Sequence, residues 1–445
     1  MLAARFLLRQ HGTTVPRELQ AGLTTFAAMA YILAVNPSIL AASGMPAPAL
    51  VTVTGLTAAF ATALMAFLTN YPIALAPGMG INAYFAFTIC GLNGVPWPDA
   101  LGMVFINGLL FLLLSVTGVR EKIIEAIPLS LKLAIAGGIG LFIAFIGLKN
   151  GGVIVADPDT FVRAGDLSHG APALCLAGIV LTAWLVARKT PGAIVLGMLA
   201  ITLAGLFVSA GAGQTVTVLP SSLVSRPASP APIFLHLRFH FLENWPAFLN
   251  ALPIILTLLI VDLFDNLGTL IALAKRIGLL DSEGRLPRAG RALIADSLAT
   301  ILSALFGTST VVCYIESAAG IEAGGRTGLT SLTTAALMLL ALFFTPLILS
   351  IPAAATAPAL VVVGILMMQP VAEIQLGDFA TAAPAVLTLL AIPLTFSISD
   401  GLGLGLICAA LLALALGKPR SFPAAGYVVA AIFFLDFFKI WPFWK

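Results

Sequence analysis

An all-α, polytopic membrane fold of about fourteen segments, arranged as a seven-plus-seven inverted repeat, is predicted by three features of this sequence. The first is composition. Of 445 residues, 60% are hydrophobic and 9% charged, whereas a soluble domain carries about 25% charged residues. The second is a row of continuous apolar runs, which also excludes an outer-membrane barrel, whose strands alternate. The third is a pair of interrupted segments in corresponding places of the two halves. Mean hydropathy is +1.08.

In chain order the apolar runs predict segments over 20–42, 49–69, 82–93, 97–117, 128–148, 170–188, 191–211, 247–274, 290–306, 316–323, 329–349, 357–373, 380–398 and 401–417. Met1–Gln10 is a short amphipathic lead-in without a cleavable signal. Two segments are too short to span. Before the first, Pro72, Pro77, Gly78 and Gly80 forbid regular helix until about Asn82. Before the second, the β-branched stretch Thr308–Ile315 predicts extended backbone, with a half-helix from near Glu316. Extended backbone at membrane depth is tolerated only inside protein or along a cavity. Paired interruptions of this kind point to a transporter binding site. Tyr427–Trp444 reads as a further crossing or as an interfacial helix, with Trp441, Phe443 and Trp444 in an aromatic belt.

Asn82 and Glu316 stand 234 residues apart (316 less 82), and the same offset carries Asp262 to Ala28 in the first crossing. Seven segments per half, an odd number, make the halves inverted. Arg5, Arg9, Arg17, Arg120, Lys122, Arg188, Lys189, Lys275, Arg276, Arg285, Arg288, Arg291, Lys418 and Arg420 then fall on one side. That side is cytoplasmic by the positive-inside rule, with both termini on it. The net charge of +3 gives no reason to invoke nucleic acid. Cys90, Cys175, Cys313 and Cys408 stand singly, without metal spacing. His236 and His240 are four apart in an outer loop, and no carboxylate or cysteine is expected to complete a metal site there.

The 246–274 run carries Asp262 and Asp265 near its middle. A carboxylate at bilayer mid-depth costs roughly 2.5–3.5 kcal/mol on insertion scales and marks a substrate or ion pathway. Three residues apart on a helix, the two share a face; close acids in low dielectric suit reversible protonation. The blander reading has them capping or bonding a neighbouring helix. Glu316 opens the second half-helix, either as an N-terminal carboxylate or as an acceptor for ligand N–H groups. Asn82 is likewise an N-cap or a ligand contact. Asp400 caps a glycine-rich helix or lines a pathway, and Gly324–Gly328 reads either as a helix-ending turn with Arg326 facing the cytoplasm or as a motif with a mechanistic role. Gly137, Gly138, Gly140, Gly401, Gly403 and Gly405 predict close helix packing.

Four stretches together give the chain a family resemblance: A-G-L-T-T-F-A-A-M-A-Y-I-L-A-V-N-P (21–37), A-P-G-M-G-I-N-A-Y-F-A (76–86), V-D-L-F-D-N-L-G-T-L (261–270) and Y-I-E-S-A-A-G-I-E-A-G-G-R-T-G-L-T (314–330). It resembles the AzgA-like purine permeases of the nucleobase–cation symporter (nucleobase–ascorbate transporter) family, with a distantly UraA-like fold. The resemblance implies a core of segments 1–4 (1–118) and 8–11 (247–350). It implies a gate of segments 5–7 (119–212) and 12–14 (351–445, with the C-terminal tail), and 213–246 is an outer loop. It places substrate contacts on Asn82, Asp262, Asp265 and Glu316, with Tyr314 and Ile315 on the adjacent strand. Asn266 departs from the Thr usual after the second acid, which bears on preference among purines.

The function so implied is import of adenine, guanine or hypoxanthine across the inner (plasma) membrane by proton symport, by alternating access between core and gate. Glu316 is expected as the main purine acceptor, opposed by Asn82. Asp262 or Asp265 carries the proton, and Tyr84, Phe85, Phe264 or Tyr314 stacks on the base. The expected partners are the purine and the lipid bilayer, with a homodimer left open; no cofactor or metal is expected beyond the coupling proton. The alternatives are a sulfate- or bicarbonate-type anion transporter of the same architecture, which three acids at the site oppose, and an integral membrane enzyme. For the latter no H-E-x-x-H or G-x-S-x-G motif is present.

Overall fold

The computed structural model describes residues 5–117, 127–168, 170–211, 214–277 and 287–438. Arg120, Lys122, Arg285 and the aromatics Trp441, Phe443 and Trp444 lie outside the described residues, as do the side chains of Lys275 and Arg276. Among the described residues, ten helical stretches are long and apolar enough to cross a membrane, and four shorter apolar helices accompany them.

The first predicted crossing is two helices, α1 (Val15–Met29) and α2 (Ile32–Leu40), with a break at Ala30 and Tyr31. It starts earlier than the apolar run because Thr14 is extended and Pro16 sits in the first turn, where its missing N–H costs nothing. Helix α3 (Ala47–Thr69) ends on Asn70 in the left-handed conformation. Then comes β1 (Leu75–Pro77), followed by α4 (Met79–Ala83), which continues as a π-helix over Tyr84–Leu92. Helix thus begins at Met79, three residues before the expected start. Gly78 closes the extended stretch, and Gly80 is accommodated inside the helix because a Cβ there would strike Ile139.

The first half closes with α5 (Trp97–Thr117), α6 (Leu129–Asn150), the hairpin β2 (Ile154–Asp157) and β3 (Phe161–Ala164), α7 (Gly170–Ala187) and α8 (Ala193–Ala204). The predicted seventh crossing to 211 is shorter than expected. Its end folds as β4 (Ser209–Gly211) against β5 (Gln214–Thr215), in keeping with the β-branched T-V-T-V that follows.

The second half runs α9 (Trp245–Ile277), α10 (Ala289–Phe306), β6 (Val311–Cys313) and α11 (Ser317–Glu322). It continues with α12 (Gly328–Ala341), α13 (Thr345–Leu349), α14 (Ala353–Met367), α15 (Phe379–Thr395), α16 (Ile398–Ala415) and α17 (Ala424–Phe437). Helix α17 rises about 21 Å at 1.5 Å per residue, short of the roughly 30 Å hydrocarbon core.

Strands β1 and β6 pair antiparallel, Leu75 opposite Cys313 and Pro77 opposite Val311, each leading into its half-helix. Backbone that no water could satisfy at this depth is therefore satisfied by the other half of the chain. The half-helices start at Met79 and Ser317, 238 residues apart (317 less 79), which corrects the offset of 234. Glu316 stands at the N-cap of α11, whereas Asn82 is inside α4, so the two are not equivalent positions.

Packing sorts the helices into two groups. In one, α12 lies on α1 and α3, α10 on α3 and α5, α9 on α5 and α11 on α1. In the other, α14 lies on α6, α7 and α8, α15 on α6 and α16, and α16 on α17. Each group therefore takes one block from each half. The glycine prediction is met at their contacts. A Cβ on Gly140 would run into the Gly364 carbonyl and one on Gly364 into that of Gly140, so α6 and α14 touch backbone to backbone.

Candidate functional site

Asn266, on α9, is the bracket between that helix and the paired strands. Its Oδ1 accepts the Cys313 N–H at 2.7 Å, and its Nδ2 donates to Asp262 Oδ1 at 3.0 Å. Asn107 of α5 donates to the other Asp262 oxygen at 3.1 Å. Asp262 is thus fully buried and held by two amides on the face that α9 turns to α5 and β6. One helical residue is 100° of rotation, so Asp265 does not follow Asn266 onto that face. It is half-buried, lies close enough to Glu316 for the two charges to repel, and takes no hydrogen bond from any described residue.

Glu316 occupies the N-cap of α11 but does not cap it: no N–H of that helix donates to its side chain. Instead its Oε1 accepts the hydroxyl of Tyr31, at the break between α1 and α2. The Tyr314 N–H bonds the Ala74 carbonyl at 2.9 Å, and its hydroxyl bonds the Pro77 carbonyl at 2.7 Å, so this ring is fixed to β1. Strand β6 ends at Cys313, which leaves Tyr314 and Ile315 beyond it rather than on it. Ile315 is 43% exposed beside half-buried Glu316, within the packed depth of the bundle. Asn82 is fully buried. Its Oδ1 accepts from Ser309, and its Nδ2 has no partner among the described residues.

The structure therefore brings Asp265, Glu316 and Ile315 to one accessible place, with Asn82 buried in α4, Tyr314 buried just past the end of β6, and Asp262 buried on α9. Of the expected stacking aromatics, Tyr84, Phe85 and Tyr314 are buried, while Phe264 is half-buried with the Lys132 ammonium 5.2 Å from its ring. Asp400 does not cap α16. Ser397 does so, its Oγ accepting the Asp400 N–H at 3.1 Å, and Asp400 lies half-buried in the first turn. His240 meets a carboxylate distant in sequence as well as a near one: its Nδ1 is 3.1 Å from Asp99 Oδ2, and its Nε2 is 3.9 Å from Glu243 Oε1.

Two residues escaped the sequence reading. Tyr31 has no exposed surface. Its signal was a phenol in an apolar run, whose polar tip must find a partner. Glu18 is also fully buried, and its carboxylate accepts the N–H groups of Arg326, Thr327 and Thr330 and both threonine hydroxyls, at 2.7–3.2 Å. It sat at the start of a predicted crossing, where a charge raises no alarm. Its partners are in the G-G-R-T-G turn, which is indeed helix-ending: Gly324 has φ +105° and Arg326 donates to the Ile321 carbonyl at the end of α11.

The same architecture occurs in known transporters. The transmembrane domain of a cyanobacterial bicarbonate transporter, BicA, superimposes with a TM-score of 0.60 over 88% of this chain and 97% of its own, at 18% identity. The murine anion transporter Slc26a9 gives 0.60 over 90% and 68%, at 15% identity. These likenesses show a shared fold. Sequence relatives are nearer. The guanine/hypoxanthine permease PbuG of Bacillus subtilis is 41% identical over 97% of this chain and 98% of its own. The adenine permease AdeP of Escherichia coli is 38% identical over 98% and 95%. The profile of the permease family, that of the xanthine/uracil permeases, matches residues 16–404. With the profile spanning both halves of the repeat and both strand-and-half-helix units, this chain belongs to the xanthine/uracil permease family, as a multi-pass membrane transporter and not an enzyme.

Proposed function

We propose that this protein imports purine nucleobases (adenine, guanine or hypoxanthine) by proton symport across the plasma membrane, with both termini cytoplasmic. The first helix group serves as core and the second as gate in alternating access. The observation that carries this reading is the pair of half-buried acids, Asp265 and Glu316, lying within electrostatic reach of each other where the second half-helix begins. The names of the relatives, adenine and guanine/hypoxanthine permeases, supply the substrate class.

A neutral purine offers ring N–H donors along its edge, for which Glu316 is an acceptor. Ile315 and Phe264 offer apolar surface for the ring face. Asp265 is the proton carrier in this reading, because it has access and no amide among the described residues holds it, whereas Asp262 is committed to Asn107 and Asn266. A proton moving down the membrane potential supplies roughly 2.3 kcal/mol per 100 mV, enough for more than tenfold accumulation. The protein acts with no resident cofactor.

Uptake of labelled adenine, guanine and hypoxanthine into permease-deficient cells tests this. Accumulation should collapse with a protonophore and with Glu316→Ala. Accumulation indifferent to the protonophore removes the coupling, and full accumulation by Glu316→Ala removes the site. Inhibition of uptake by bicarbonate or sulfate would favour an anion substrate instead.

A further inference from the structure

Among the described residues, Tyr31 makes its side-chain hydrogen bond to the site through Glu316. Its hydroxyl donates to Glu316 Oε1, and no part of Tyr31 reaches accessible space. It stands at the break between α1 and α2, and α1 packs on α11, the half-helix that Glu316 begins. The carboxylate thus has one oxygen engaged by a residue from the first half of the chain. It retains lone pairs on the other, and the residue is half-buried beside exposed Ile315. A carboxylate free to rotate would accept from donors in many directions. One held at Oε1 presents Oε2 over a narrower range of directions, and that oxygen can receive a hydrogen but cannot give one while the group is ionised.

We infer that Tyr31 is a positioning residue that aims Glu316, so that the site selects a planar base by an N–H at one place on its edge. The inference rests on the purine reading above and deepens it. It turns the general preference for a purine into discrimination between a base that keeps that N–H and the same base with it methylated. An unmatched polar group in a site built for hydrogen bonding is what makes such discrimination large.

The test is equilibrium binding of adenine, guanine and hypoxanthine to purified full-length protein, each beside derivatives methylated in turn at N1, N7 and N9. Unaltered protein and Tyr31→Phe, which keeps the ring and loses the hydroxyl, are compared, with the thermal midpoint of each recorded. Hydrogen bonds to charged groups are the stronger kind, so Tyr31→Phe should bind the preferred base about tenfold more weakly. Discrimination against the sensitive methyl derivative should fall by a similar factor, with the thermal midpoint little changed. Parent and methylated bases weakened equally, or both unchanged within about twofold, would overturn the role of Tyr31 while leaving the substrate class intact. Absence of binding of any purine by the unaltered protein would instead overturn the substrate reading, and this inference with it.

Discussion

Asn266 and Cys313 are joined by a 2.7 Å hydrogen bond from the Cys313 N–H to the Asn266 side-chain oxygen, and through it α9 is fastened to β6. The same amide steadies Asp262 from its other end. Asn266 therefore faces the paired strands and not the accessible acids. Asn266→Ala leaves a buried N–H without its acceptor, which costs about 1–3 kcal/mol. The thermal midpoint of the purified protein should fall, while Asn266→Thr, which restores an oxygen, should recover part of the loss. A change in relative uptake of adenine and guanine with no change in midpoint would contradict this placement.

Asp262 and Asp265 should separate under the same conservative change. In Asp265→Asn the acid that takes no hydrogen bond from any described residue becomes an amide that can neither take up nor release a proton, so accumulation against a gradient should be lost while binding and stability persist. In Asp262→Asn one of the two accepting oxygens becomes a donor facing the Asn107 or Asn266 amide, so the folded yield should fall first. Measuring accumulation per folded molecule for both variants decides the matter. The reverse assignment would make Asp262 the proton carrier.

The crossings, both strand interruptions and the glycine contacts were legible because each is written locally, as an apolar run, a proline cluster or a close run of glycines. What stayed hidden depends on long-range pairing. Tyr31 meets Glu316 from 285 residues away, and Glu18 meets Thr330 from 312 away. The sharing of roles between two aspartates three residues apart was equally hidden. It follows from which side of α9 meets α5 and β6, a matter of packing that helical spacing alone leaves open.

Glu18 is the anchor of the α12 N-terminus. Five donors from Arg326, Thr327 and Thr330 converge on one buried carboxylate, and three of them are N–H groups at or just before the start of α12. Removing the acceptor strands them all. Glu18→Ala should cost on the order of 3–5 kcal/mol, visible as lost membrane expression or a large drop in thermal midpoint. An unaltered midpoint would show that water or another group replaces the carboxylate.

Gly140 and Gly364 set the distance between α6 and α14. Since each would drive a side chain into the other's carbonyl oxygen, no rotamer relieves the clash. Gly140→Val should therefore destabilise by at least the 1–3 kcal/mol typical of overpacking. Gly377, around which a Cβ would meet nothing within 4 Å, serves as control and should tolerate Ala. Equal midpoints for the two variants would deny the backbone contact.

Thr257 of α9 donates to Ser399 of α16 at 3.1 Å, a buried hydroxyl pair joining the two helix groups. A second link lies nearby, from the Thr88 hydroxyl to the Phe396 carbonyl. Phe396 is itself held in the left-handed conformation, with the rings of Phe142 and Phe145 5.6 and 5.3 Å away. If the groups move against each other in transport, this seam must part. Thr257→Cys with Ser399→Cys, in a background where Cys90, Cys175, Cys313 and Cys408 are replaced by Ala or Ser, should form a disulfide on mild oxidation. Purine uptake should then stop and return on reduction, while each single cysteine variant keeps transporting under oxidation. Unimpeded uptake by the fully oxidised double variant would mean that the seam stays closed throughout the cycle, and that access to Glu316 changes elsewhere.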